Sequence, residues 1–69
     1  MPDISLVING QPEVLEAPAT VAVLLERKGL VGKRLAVECN GDIVPRGRHA
    51  ETELHDGDRL EIVVAVGGG

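Results

Sequence analysis

Ile4, Leu6 and Ile8 occupy every second position near the start of the chain, the period of a strand with one buried face. Asn9-Gly10 follows, and both residue types accept the positive φ that a two-residue type I′ turn demands. Glu13-Val14-Leu15-Glu16 supplies a returning strand, so residues 4–16 are predicted to form a β-hairpin. The period then lengthens. Pro18-Ala19-Thr20 opens a helix, with the Thr20 hydroxyl placed to accept a bond from a first-turn N–H. Val21, Leu24, Leu25 and the stem of Lys28 recur at helical spacing and are expected to form one buried stripe. Arg27 and Lys28 fall in the last turn, where cations suit the helix dipole. Gly29 is the expected stop, with Leu30 folding back on Leu25.

After a connection through Val31 to Arg34, Leu35, Val37 and Cys39 again alternate, with Glu38 on the opposite side. Asn40-Gly41-Asp42 is expected to turn into a short strand, Ile43-Val44, which Pro45 ends because it lacks an N–H for a ladder. Residues 46–52 are polar and irregular, Leu54 is a lone apolar anchor, and His55-Asp56-Gly57-Asp58 is a turn. The longest strand runs from Arg59 to Val66, with Leu60, Ile62 and Val64 inward and Glu61, Val63 and Ala65 outward. The order β-β-α-β-β-β predicts an α+β layer pair. A β-grasp is the economical arrangement, a mixed four- to five-stranded sheet with one helix on one face and its first and last strands parallel at the centre. The other face would then carry Val7, Val63 and Ala65 uncovered.

Composition narrows the possibilities. The chain has 69 residues and no Phe, Trp or Tyr, so one aliphatic core is expected and a large ligand pocket is not. The expected division is a domain over residues 1–66 and a flexible glycine tail over 67–69. A single cysteine, Cys39, excludes an internal disulfide and points to a reducing cytoplasm. No signal-peptide pattern and no membrane-length apolar run is visible. A net charge of −4 argues against nucleic-acid binding. The charges are segregated. The charged residues of 1–26 are all acids, 27–48 hold Arg27, Lys28, Lys33, Arg34, Arg46 and Arg48 against Glu38 and Asp42, and 49–61 return to Glu51, Glu53, Asp56, Asp58 and Glu61 against Arg59. This pattern fits either a solvated mixed surface or an acidic face near the tail that steers the domain to a basic partner.

The side chains offer little chemistry. His49 and His55 do not share metal-ligand spacing with Cys39 and are expected at the surface. Cys39 is expected to act as a small buried hydrophobe. Residues 55–58 are too short for a calcium loop, and no glycine-rich loop links a strand to a helix. No catalytic side chain and no metal ligand emerges. The last residues, Gly67-Gly68-Gly69, directly follow an apolar strand pattern. Without Cβ atoms they fit a channel too narrow for other residues, and Gly69 offers an α-carboxylate. A carboxylate is a poor electrophile, but ATP can activate it as an acyl-adenylate that a sulfur, amine or thiol nucleophile then attacks. The alternative is a frayed, idle end.

Three segments carry a resemblance: Val37-Glu38-Cys39-Asn40-Gly41-Asp42-Ile43-Val44-Pro45-Arg46, Asp56-Gly57-Asp58-Arg59-Leu60-Glu61-Ile62-Val63, and Val66-Gly67-Gly68-Gly69. Over essentially its whole length the chain resembles the ThiS sulfur carriers of thiamine biosynthesis, ubiquitin-like β-grasp proteins. Ala65 stands where that family often has a bulkier group. The resemblance implies a protein cosubstrate rather than an enzyme, located in the cytoplasm and binding no cofactor of its own. A ThiF-type, E1-like adenylyltransferase would activate Gly69 with ATP. Sulfur would come from a cysteine desulfurase-derived persulfide, and the Gly69 thiocarboxylate would pass it to a ThiG-type thiazole synthase. Gly67 and Gly68 would thread the partners' channels, and Val63, Ala65 and Val66 would form the docking surface. The small subunit of molybdopterin synthase, a ubiquitin-like modifier and a tRNA-thiolation carrier share the tail chemistry and are the alternatives.

Overall fold

The computed structural model describes residues 3–65. Strands β1 (Asp3–Ile8) and β2 (Gln11–Glu16) form the first hairpin, followed by helix α1 (Val21–Arg27). Strands β3 (Leu35–Cys39) and β4 (Asp42–Val44) form a second hairpin, and a short 3₁₀ turn at Arg46–Arg48 leads through a loop to β5 (Arg59–Val64). The sheet order is β2-β1-β5-β3-β4. Strands β1 and β5 pair in parallel, and every other neighbour is antiparallel. This is the mixed five-stranded β-grasp sheet expected from the pattern, with its first and last strands at the centre.

Local chemistry explains most element ends. Asn9 and Gly10 adopt φ of 51° and 80°, and Asn40 and Gly41 adopt 52° and 88°, so each Asn-Gly pair makes a two-residue turn of the hairpin type. The second hairpin is therefore tighter than expected, since Asp42 already pairs with Cys39. Strand β2 also starts earlier than expected, at Gln11. It can include Pro12 because it lies at the sheet edge. At the helix start, Thr20 Oγ1 accepts the Val23 N–H at 3.2 Å. At its end, Gly29 N–H donates to Glu26 O at 3.1 Å and Leu30 N–H to Leu25 O at 2.8 Å, the paired bonds of a Schellman stop. Lys28 is the C-cap of the helix, its side chain 30% exposed and its ammonium 2.6 Å from Glu13 Oε2 on β2.

The core lies between α1 and one sheet face. Leu6, Leu24, Leu60, Val21 and Val37 are its largest fully buried side chains. Leu54 is the anchor its isolation suggested: it is buried, and its N–H donates to Ala19 O at 2.8 Å. Val21 N–H donates to Thr52 O at 3.0 Å, so the irregular 46–54 segment is fastened to the start of the helix. Strand β5 ends at Val64, short of the expected Val66. The Ala65 N–H still donates to Arg34 O at 2.9 Å. Val66, Gly67, Gly68 and Gly69 lie outside the described residues.

Candidate functional site: the central strand and the open sheet face

Strand β5 is the element that leads to the glycines, and it is held from both sides by the hairpin turns. On the β1 side, backbone bonds run from Val7 N–H to Asp58 O at 3.0 Å and from Asn9 N–H to Leu60 O at 2.9 Å. Where β1 turns away, the Asn9 side chain continues the ladder. Its Oδ1 accepts the Ile62 N–H at 2.8 Å, and its Nδ2 donates to Ile62 O at 3.1 Å. On the β3 side, Asn40 Oδ1 accepts the Arg59 N–H at 3.0 Å while its Nδ2 donates to Asp58 Oδ1 at 2.9 Å. Each asparagine therefore makes its own left-handed turn and also fixes β5. These long-range roles were not part of the sequence reading, which treated both Asn-Gly pairs as turn chemistry alone.

The helix covers one sheet face and leaves the other open. On that face Val63 is 66% exposed, Ile43 66% and Val14 63%. Ala65 is exposed and Val7 half-buried. Val63 pairs with Ala36 of β3, so Val63, Ala36 and Ala65 make a low apolar surface where β5 ends. Two of the three predicted docking residues, Val63 and Ala65, are thus brought together. Val66 lies outside the described residues, as do Gly67, Gly68 and Gly69.

Of the acids expected to form a face near the tail, Glu61 is the one that lies within a strand, on the open face. The 55–58 turn lies at the opposite end of β5, and its carboxylates have structural work there. Asp56 Oδ1 accepts the Ser5 N–H at 2.7 Å, and Asp58 Oδ2 accepts the His55 N–H at 2.8 Å. The backbone beside Ala65 belongs instead to basic Arg34. The acidic groups on the open face are Asp3, Glu16, Glu38 and Glu61, the first two in β1 and β2 and the others in β3 and β5. A groove of about 610 Å³, lined by Val7, Glu38, Asn40, Arg59 and Glu61 among others, opens onto this face.

The remaining candidates are structural. Cys39 is partly buried against the core. Burial, then the carboxylates of Asp58 and Asp42, push its thiol above its ordinary value, the reverse of what an activated nucleophile needs. His55 is exposed as expected, but His49 is half-buried with Nε2 3.2 Å from Val44 O. Among the described residues, no group of three or more His, Cys, Asp or Glu is placed to hold a metal ion. No helix among them is long and apolar enough to cross a membrane.

The family model for the ThiS family matches residues 6–69. The chain belongs to the ThiS family. A ThiS protein of thiamine biosynthesis from Geobacter metallireducens, solved by crystallography, superposes with a TM-score of 0.79 at 29% identity, covering 96% of this chain and 100% of that one. An uncharacterized protein, ycf40, of Pyropia yezoensis is 37% identical over 67 residues, 97% of this chain and 94% of that protein. A thiazole synthase of Paramagnetospirillum magneticum is 45% identical over 64 residues, covering 93% of this chain. The chain spans only about a fifth of that enzyme's length, since the match covers 20% of it.

Proposed function

We propose that this chain is a sulfur carrier for thiazole formation in thiamine biosynthesis, acting through the α-carboxylate of Gly69. The observation that carries this reading is the family match through Gly69, together with the central position of β5, which precedes the glycines in sequence. The strand is held on both sides by Asn9 and Asn40, its ladder reaches Ala65, and the family match runs on through Gly69. In this reading the central strand positions the glycines that follow it in sequence, and the reactive group is the Gly69 carboxylate. Two residues of the arm, Gly67 and Gly68, pass through a channel that side chains would block.

The chemistry belongs to the partners. A ThiF-type adenylyltransferase joins the Gly69 carboxylate to AMP and releases pyrophosphate from ATP. A persulfide generated by a cysteine desulfurase then displaces AMP to form an acyl disulfide, a second thiol cleaves its S–S bond to release the thiocarboxylate and leave a disulfide, and the thiocarboxylate donates sulfur to a ThiG-type thiazole synthase. Supporting that last partner, a module like this chain occurs within a polypeptide named thiazole synthase. The domain provides recognition, through Val63, Ala65 and Val66, and no catalytic side chain. Intact-mass analysis after incubation with the adenylyltransferase, ATP and a sulfur source tests the proposal. One oxygen exchanged for sulfur at Gly69 is expected. An unchanged mass with active partner enzymes would refute it.

A further inference from the structure

The strand register sets like charges opposite each other twice on the open face. Asp3 pairs with Glu16 across β1 and β2, and Glu38 pairs with Glu61 across β3 and β5. Directly opposed like charges weaken a strand pair. All four side chains are exposed, and none forms an ion pair with another described residue. Arg59 is the only base within the five strands. Arg27, Lys28, Lys33, Arg34, Arg46 and Arg48 all lie on the helix, its end or the connections. Glu38 and Glu61 lie in one groove with Arg59, near exposed Val63 and Ile43. Asp3 and Glu16 lie near exposed Val14 beyond the start of β5. Over the whole face, four carboxylates against one guanidinium leave three excess negative charges.

We propose that the open face docks a basic protein surface, with a Lys or Arg of the partner bridging the Glu38 and Glu61 carboxylates and apolar side chains around it covering Val63 and Ile43. This deepens the carrier reading and rests on it, because a carrier passed between enzymes needs a surface that each can engage and release. Charge selects the occupant. Nucleic acids and anionic lipid surfaces are repelled. A second copy offering the same face brings the same excess charge and is repelled too. A partner cation relieves a repulsion that the free domain bears, and the field of the face speeds encounter in a salt-dependent way.

Glu61→Lys separates docking from folding, because it sets opposite charges across the β3–β5 pair. Its melting temperature is expected to equal or exceed that of the wild type. Its affinity for the cognate adenylyltransferase and thiazole synthase, measured by calorimetry at low ionic strength, is expected to fall about tenfold. Wild-type affinity is expected to weaken steeply with added salt, and that of the variant far less. Glu26→Lys on the helix makes the same change in net charge and is expected to bind like the wild type. The proposal is overturned if Glu61→Lys binds as tightly as Glu26→Lys, or if the wild type binds neither enzyme. The carrier reading fails separately if the wild type binds but never exchanges oxygen for sulfur at Gly69.

Discussion

Replacing Asn9 tests whether a turn side chain holds the central strand. The parallel β1–β5 register comprises only Val7 with Arg59 and Ile8 with Leu60, so the two Asn9 amide bonds to Ile62 extend a short ladder. Asn9→Gly keeps the left-handed turn, since glycine enters that region freely, and removes both side-chain bonds. Each neutral hydrogen bond contributes about 0.5–1.5 kcal/mol net, which sets the loss at about 1–3 kcal/mol. For a domain of this size about 1 kcal/mol corresponds to roughly 4–8 °C. A loss of about 2 kcal/mol therefore lowers the melting temperature by roughly 8–16 °C. Asn9→Ala suffers the same loss and also forces an alanine to φ of 51°, adding about 1 kcal/mol. The stability order is expected to be wild type, Asn9→Gly, Asn9→Ala. With no Trp, Tyr or Phe in the chain, far-UV circular dichroism is the suitable probe. Amide exchange gives the local readout, and Ile62 is expected to lose more protection in Asn9→Gly than Val37 in the core. An unchanged melting temperature with intact Ile62 protection would refute the clamp.

Other perturbations address the arm, the helix and the thiol. Deleting Gly68 and Gly69 is expected to leave the melting temperature unchanged and to abolish thiocarboxylate formation by mass; a large loss of stability would make the glycines structural. Leu24→Ala, at a fully buried position, is expected to cost about 2–5 kcal/mol in denaturant unfolding, a large fraction of the stability of so small a domain. Lys28→Ala, which breaks a half-exposed ion pair with Glu13, is expected to cost no more than about 1 kcal/mol, and less in high salt. The raised Cys39 pKa means that the folded state holds the thiol proton more tightly than the unfolded chain does. The associated stability is complete below the ordinary thiol range and is lost as pH rises through the folded value. Cys39→Ser is expected to flatten that alkaline decline in a pH series of melting curves, and native Cys39 is expected to alkylate more slowly than the thiol of the denatured chain.

Features set by neighbours in sequence were legible before the structure. Alternation at Ile4, Leu6 and Ile8 marked a half-buried strand, and Asn9-Gly10 marked a hairpin turn. Thr20 and Gly29 marked the two ends of the helix, because caps and turns bond within a few residues of themselves. Cys39, at an inward position of its strand, was legible as a core-facing residue for the same reason. The structure decided what depends on register and on distant partners. The helical period placed the stem of Lys28, but only the structure shows that its ammonium meets Glu13 on the edge strand. Asn9 and Ile62 lie 53 residues apart, and no local pattern joins a turn amide to a strand that far away. The acidic face was expected from a run of nearby acids. Of that run Glu61 is the acid placed on the open face, opposite Glu38, while Asp3 and Glu16 pair at the end of the sheet beyond the start of β5, because strand pairing rather than chain order chooses which side chains share a surface. The sequence alone thus supplied the elements and their order. Tertiary structure decided how β5 is gripped and what charge its open face presents, since both follow from a register that only the assembled sheet defines.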